Sequence, residues 1–491
     1  LSYSAGPAPL TPCTLLRVGR VPQIAGVRVR RSLRSQVMAT DAPDITPDED
    51  GPGDAVGWSP ETARGGEEAS LLDDLAARGL ISDSTDLDAL AHRLAEGPIT
   101  LYCGFDPTAS SLHAGNLQQL MLLARFARAG HRPLVLVGGA TGRIGDPSGR
   151  DNERPLLDEA TLAANVAAIR DQVGRFVDVV SEGALVDNHD WTGPLTLLDF
   201  LRDVGKHVNI GAMLARDSVR SRIDRDAGMS FTEFSYQLLQ AHDFVQLHRS
   251  HNCELQVAGS DQWGNITAGI DLARRMDGAA LHGLTSPLIV RADGKKFGKS
   301  TGGAIWLAAD ETSPYAFYQY WMQIPDDDVE SMLLRLTFLS VLDISAIITV
   351  HRKEPHRRQG QRALAHHLTA IVHGDDAARS AATASEVIFG GRPAGLDRPS
   401  LEMLANEVGF TGVGDEELQN GLDPAELFVR SGLARSKGEV RKNAHGFRVN
   451  GSPVDLDRSI GADDLLAGYA AMLSHGKRKH HLLVHADSVV G

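Results

Sequence analysis

An α/β protein built on a largely parallel sheet is the fold this sequence predicts, and three observations predict it. From about residue 70 to 313, short apolar runs alternate with longer amphipathic segments, the rhythm of parallel strands joined by crossover helices. The β-like run 99–105 then feeds through Asp106-Pro107-Thr108 into His113-Ala114-Gly115-Asn116 at the mouth of an amphipathic helix. Finally, 491 residues with 42% hydrophobic content are too many for one core, so two or three domains are expected.

Along the chain, residues 1–37 hold six arginines and no Asp or Glu, with several Pro, Gly and Ser, a composition that resembles an organellar transit peptide. The first residue is Leu1 and Met38 stands just before an acidic stretch, so translation from upstream of the true start is the expectation. Residues 41–68 are acidic and rich in Pro and Gly, too polar to bury a core, and are expected to be disordered. Residues 1–68 are therefore set aside as an extension, and folding is expected from about Ser70.

Strands are predicted at 99–105, 133–138, 185–187 and 253–258, with helices at 117–129, 194–204 and 266–276. Ligands of such sheets sit at the carboxyl ends of the strands, and Tyr102, Asp146, Asp261 and the His113 turn all fall near predicted ends. Residues 314–390 carry helical spacing and an Arg/His-rich stretch at 351–358, which predicts a small helical domain. A linker with a short helix is expected over 391–423, and a last small domain over 424–491.

Bulk properties remove whole classes. Cys13, Cys103 and Cys253 are widely separated, which indicates neither a disulfide framework nor a structural zinc site. No apolar run approaches the roughly 18 residues needed to span a bilayer. The net charge of −14 argues against a uniformly basic nucleic-acid binder, yet Arg435, Lys437, Arg441, Lys442, Arg448 and residues 477–479 gather positive charge near the C-terminus. An acidic body with a basic RNA-facing end fits that distribution; a solvated basic face fits it as well.

Two motifs carry the chemistry. At residues 113–116, backbone N–H groups and the positive end of the helix dipole favour a phosphate, Gly115 allows close approach, and His113 and Asn116 offer side-chain donors. Ordinary helix capping would use the same residues. About 180 residues downstream, Asp293-Gly294-Lys295-Lys296-Phe297-Gly298-Lys299-Ser300 places lysines on a glycine-hinged turn, suited to a polyphosphate that is gripped while it departs; a solvated basic turn is the plainer alternative.

Together these motifs resemble the two signatures of class I aminoacyl-tRNA synthetases. Further segments stand in order between them: Tyr102 to Thr108, Gly138-Gly139-Ala140-Thr141-Gly142, Gly145-Asp146-Pro147-Ser148-Gly149, Phe231-Thr232-Glu233-Phe234-Ser235-Tyr236 and Gly259-Ser260-Asp261-Gln262-Trp263-Gly264-Asn265. That series resembles the bacterial-type tyrosyl-tRNA synthetases over roughly residues 70–491. The resemblance implies a Rossmann-like catalytic domain at 69–313, an anticodon-binding helical domain at 314–390 and an S4-like α+β RNA-binding domain at 424–491.

It also implies a two-step reaction: tyrosine and ATP give tyrosyl-adenylate and pyrophosphate, then the terminal ribose of the tRNA takes the tyrosyl group. Thr108, His113, Asn116, Lys296, Lys299 and Ser300 take the catalytic roles by resemblance, and Gly104, Asp106, Gly115, Gly259 and Asp261 join His113, Asn116 and Lys299 around ATP. Tyr236, Gln240 and Asp146 are assigned to the amino acid's ammonium group, Tyr102 and Asp243 to its phenolic hydroxyl, and Gln262 to tyrosine binding. Tyr236, Gln240 and Asp243, spaced i, i+4 and i+7, share one helix face with apolar flanks. Arg150 and Arg154 could add charge to the same region. Arg435, Lys437, Arg441 and Lys442 are the expected tRNA contacts.

The same resemblance implies ATP as a substrate with Mg²⁺, no permanent cofactor or metal site, a homodimer and a cytoplasmic location. Asn116 stands where the wider class often has His, and Phe297-Gly298 where Met-Ser is more familiar; an Asn amide still donates. The tryptophanyl-tRNA synthetases share both signatures, but Tyr102 with Asp243 and the S4-like tail favour the tyrosyl branch. An RNA-binding paralogue without catalysis is disfavoured by intact His113, Lys296 and Lys299. A dinucleotide-dependent oxidoreductase is disfavoured by the glycine spacing of 138–149.

Overall fold

A computed structural model describes residues 70–146, 157–176, 184–215, 219–220, 223, 228–289, 299–300, 303–476 and 478–486. The predicted extension, Met38, Arg150, Arg154 and Lys296 lie outside the described residues.

Five parallel strands form the first sheet: β1 (Thr100–Phe105), β2 (Arg132–Val137), β3 (Leu185–Asp187), β4 (Cys253–Gly259) and β5 (His282–Ser286), in the order β3-β2-β1-β4-β5. Parallel pairing covers both faces of a sheet with crossover helices, and the strands read accordingly: Val135, Val137, Leu255 and Val257 are buried. The chain runs outward from β1 through β2 to β3, then returns to place β4 on the other side of β1. That reversal opens a crevice at the carboxyl ends of β1 and β4, where doubly wound sheets hold ligands.

The helix Leu117–Arg128 follows β1 and buries Leu117, Leu120, Leu122, Leu123 and Phe126 in the main core. The long helix Phe231–His251 starts at Ser230, whose side chain accepts from Glu233 N, and ends on Asn252 at φ 50°, a left-handed position that Asn tolerates. It packs with the helix Trp263–Asp277; at Gly269 any Cβ would lie 3.1 Å from Phe244, so the glycine sets their separation.

Residues 314–390 are helical, and they share the core of the sheet instead of enclosing a separate one: Phe317, Trp321, Leu333, Ile344 and Leu364 belong to the same apolar cluster as Leu101, Leu120 and Val257. Arg78 donates to the carbonyls of Leu334 and Leu339, and Arg125 to those of Leu334 and Thr337. The bonds to Leu334 and Thr337 satisfy carbonyls at the open C-terminal end of the helix Asp326–Leu336, and with that to Leu339 they tie this end to Arg78 and Arg125.

The short hairpin β6 (Lys299–Ser300) and β7 (Gly303–Ala304) precedes this helical part. Beyond it, β8 (Phe410–Val413), β9 (Phe447–Val449), β10 (Ser452–Pro453), β11 (Ala470–His475) and β12 (Lys479–His485) make a second sheet, ordered β10-β9-β11-β12-β8. Residues 391–423, expected as a linker with one short helix, instead carry the helices Arg398–Val408 and Asp415–Asn420 and the strand β8, which pairs with β12. The architecture is thus a Rossmann-like parallel sheet, a helical part and a C-terminal α+β unit.

Candidate active site

The crevice is a cleft of about 600 Å³ walled by the ends of β1, β2 and β4, the His113 turn and the helix Phe231–His251. Tyr102 stands at its floor. It is the third of six residues in β1, so the expectation that it sits near a strand end is corrected: it lies mid-strand, fully buried, edge-on to Phe244 with ring centroids 5.2 Å apart. Its Oη has no hydrogen-bond partner among the described residues. Burial, then the nearby Asp243 carboxyl, push its phenol well above the usual range.

Asp243 is 1% exposed on the helix Phe231–His251. Asn188 Nδ2 donates to one carboxyl oxygen at 2.9 Å and Trp191 Nε1 to the other at 2.8 Å. Burial still outweighs these donors and pushes Asp243 up to about 7. Asn188 also donates to Thr141 Oγ1, and Thr141 donates to Asp106 Oδ1, both at 2.9 Å. Asp106 Oδ2 accepts from Tyr236 Oη at 3.0 Å. One continuous polar network therefore runs from Asp243 to Tyr236, and a buried network satisfied at each joint is rigid.

A second chain of bonds starts where the helices meet. Gln262 Nε2 donates to Asp146 Oδ2 at 2.7 Å, Gln240 Nε2 to Gln262 Oε1 at 3.3 Å, and Asn265 Nδ2 to both Gln240 Oε1 and Gln262 Oε1 at 2.9 Å. Tyr236, Gln240, Asp243, Asp146 and Gln262 all line the cleft. The shared helix face read from their spacing therefore turns inward, and the polar stripe is pocket and not solvent face.

At the cleft's rim, residues 114–116 form a 3₁₀ turn before the helix Leu117–Arg128. His113 Nδ1 accepts from Gly115 N at 3.0 Å, which places the ring proton on Nε2, and Asn116 Oδ1 accepts from His113 N at 3.0 Å. The turn is thus a cap that also walls the cleft. Gly104, Thr108, Gly115, Gly259 and Asp261 line the same cleft. Of the second signature only the backbone of Lys299 and Ser300 is described, paired in β6 with Ala304 and Gly303.

Sequence reasoning missed Asn188, Trp191 and Thr141, which fix Asp243 and Asp106, and also Gln256, Gln119 and Trp306 on the cleft wall. Asn188 follows the end of β3, so a polar residue just past a predicted parallel strand was the available signal. In the C-terminal unit, Arg435, Arg441 and Lys442 stand on the surface around the helix Lys437–Lys442, whereas Lys437 is held by Asp423 at 3.2 Å and Glu426 at 2.8 Å. The thiols of Cys103 and Cys253 are buried and unpaired, and burial pushes Cys103 up to about 12.

Comparison with known proteins bears on these features. The family described as class I tRNA synthetases (W and Y) matches residues 94–390. A tyrosine–tRNA ligase from Opitutus terrae is 48% identical over 418 residues, which is 84% of this chain and 98% of that protein. One from Anaeromyxobacter dehalogenans is 50% identical over 422 residues, 84% of this chain and 99% of the relative. The crystal structure of a C-terminally truncated mitochondrial tyrosyl-tRNA synthetase from Aspergillus nidulans superposes with a TM-score of 0.60 at 34% identity, covering 66% of this chain and 95% of that one. With a parallel sheet, both signature positions in order and this degree of identity across nearly the whole of its relatives, the chain belongs to the class I aminoacyl-tRNA synthetases, in their bacterial-type tyrosyl branch.

Proposed function

We propose that this cleft joins tyrosine to ATP and passes the tyrosyl group to tRNA(Tyr), with the phenol seated between Tyr102 and Asp243. The observation that carries the seating is the buried, partnerless Tyr102 Oη beside a carboxyl that two donors hold in place. Buried polar groups need partners, and a phenolic hydroxyl supplies both a donor for Asp243 and an acceptor for Tyr102. Asp146, Tyr236 and Gln240, with Gln262 bonded to Asp146, form the acidic and polar wall that suits an ammonium group. The tyrosine carboxylate then faces the α-phosphate of ATP, which enters as its Mg²⁺ complex.

In the first step a carboxylate oxygen attacks the α-phosphorus, the bond to the bridging oxygen breaks and pyrophosphate leaves. Charge grows on that leaving group, and His113 Nε2–H, Asn116 Nδ2, Thr108, Lys296, Lys299 and Ser300 are the donors assigned to it. Gly104, Asp106, Gly115, Gly259 and Asp261 frame the nucleotide. In the second step a terminal ribose hydroxyl attacks the acyl carbon and AMP departs. No covalent enzyme intermediate is needed; positioning and charge stabilisation do the catalysis.

Arg435, Arg441 and Lys442, with Lys437 once released from Asp423 and Glu426, are the proposed tRNA contacts. The division into catalytic (69–313), helical (314–390) and S4-like (424–491) domains belongs to this reading, as does a cytoplasmic location. A homodimer is supported by exposed apolar side chains on and beside the helices Leu197–Asp203, Ile210–Leu214 and Phe231–His251, among them Leu198 at 76% and Phe231 at 79% exposure. The test is charging of a tRNA(Tyr) transcript with labelled tyrosine and ATP. A base-labile tyrosyl ester is expected, and adenylate formation without any ester would overturn the second step.

A further inference from the structure

Residues 305–308 form a strap across the first signature. Ala114 N donates to Ile305 O and Leu307 N to Leu112 O, both at 2.8 Å, so His113 and Trp306 face each other in an antiparallel bridge. Trp306 N donates to Thr312 Oγ1 at 3.0 Å and Ala308 N to Ser111 Oγ at 3.1 Å. Four bonds thus pin four successive residues. Extended backbone sends alternate side chains to opposite sides: Ile305 and Leu307 are buried at 9% and 1%, while Trp306 lines the cleft. Its ring lies 6.2 Å from that of His113, tilted by 49°, within the range of aromatic contact.

The strap also leads back to the second signature. Ala304, which pairs with Lys299 across the β6–β7 hairpin, stands two residues before Trp306. A backbone hydrogen-bonded path therefore joins Lys299 to His113 through Ala304 and Trp306.

We propose that Trp306 is a positioning residue for adenylation, which holds the His113 imidazole against the cleft wall and seats the end of the second signature beside it. The inference rests on the reading of His113 as a donor to the leaving phosphate. His113 Nδ1 is already committed to Gly115 N, which fixes one end of the ring; Trp306 packs against its side and restricts the remaining rotation. Tyrosine binding, at the far floor of the cleft, does not depend on this contact.

The experiment is tyrosine-dependent exchange of labelled pyrophosphate into ATP, with tyrosine affinity measured separately by equilibrium dialysis, for the parent chain, Trp306→Ala, Trp306→Phe, His113→Ala and Trp306→Ala with His113→Ala. Loss of a positioning contact is expected to lower kcat of exchange in Trp306→Ala by about 10²-fold, with tyrosine affinity unchanged. Trp306→Phe, which keeps an aromatic face, should recover most of the loss. In the His113→Ala background the second substitution should cost almost nothing more, because the two residues act as a unit. Normal exchange by Trp306→Ala, an equal loss of tyrosine affinity, or additive losses in the double variant would each overturn the inference. Absence of exchange in the parent chain would instead sink the reading on which it rests.

Discussion

In the proposed seating, one buried side chain, Asp243, sets both substrate choice and pH dependence. Its carboxyl is pushed up to about 7, so the charged form proposed to accept the substrate hydroxyl is incomplete at neutral pH. KM for tyrosine should therefore fall as pH rises from 6 to 8, and Asp243→Asn should flatten that profile. The same substitution removes a charged acceptor, worth about 1.5–3 kcal/mol, and should cut tyrosine-over-phenylalanine selectivity in exchange kinetics accordingly while leaving KM for ATP nearly unchanged. Unaltered selectivity would refute the seating. Linkage gives a stability effect of definite sign: a raised folded-state pKa contributes stability that is full below the unfolded value and is lost as pH climbs through about 7, so the ligand-free protein should melt lower at pH 8 than at pH 5.5 for this group's part. On the proposed role of its donor, which is to meet charge that appears only in the transition state, His113→Ala should slow adenylation far more than it weakens tyrosine binding. Both residues were legible in the sequence because a motif or a helical spacing flagged them. Asn188 and Trp191 were not, because their role exists only once β3 lies beside β2 and turns them toward a helix more than 50 positions away.

At the scale of elements, the helix Phe231–His251 matters most, since it delivers Tyr236, Gln240 and Asp243 together. Its first turn depends on Ser230, and Ser230→Ala should lower stability by about 1 kcal/mol in thermal or urea unfolding, with a matching loss of tyrosine affinity as the helix start loosens. The β2 end is as demanding: a Cβ on Gly138 would run into the carboxyl of Asp106 and the hydroxyl of Thr141. Gly138→Ala is accordingly expected to cost about 1–3 kcal/mol of stability and to raise KM for tyrosine, because it displaces the joint of the polar network. Strands β1 to β4 and the helix after β1 were legible to within a residue or two, as apolar runs bounded by turn residues. β5 was not anticipated: His282-Gly283-Leu284-Thr285-Ser286 has little apolar alternation and gains its strand from pairing with β4. The strand β8 escaped notice for the same reason, being only four residues long and stabilised by a partner 72 positions on.

For the whole molecule, the sheet and the helices of 314–390 share one core, so a change in either is felt by both; chain length, which pointed to two or three cores, does not tell which buried faces meet. Net charge was equally silent on where the basic residues stand, and the structure puts Lys437 in ion pairs that a bound polyanion would have to displace. The exposed leucines carry the assembly prediction: Leu198→Asp should shift sedimentation from dimer to monomer and lower specific activity with it, whereas an unchanged dimer would place the subunit contact elsewhere. The central claim, that this cleft makes tyrosyl-adenylate, is tested most directly by exchange of labelled pyrophosphate into ATP with tyrosine, tryptophan and phenylalanine side by side. Exchange with tyrosine alone is the expected result. Exchange driven equally by tryptophan or phenylalanine, or by none of the three, would contradict it.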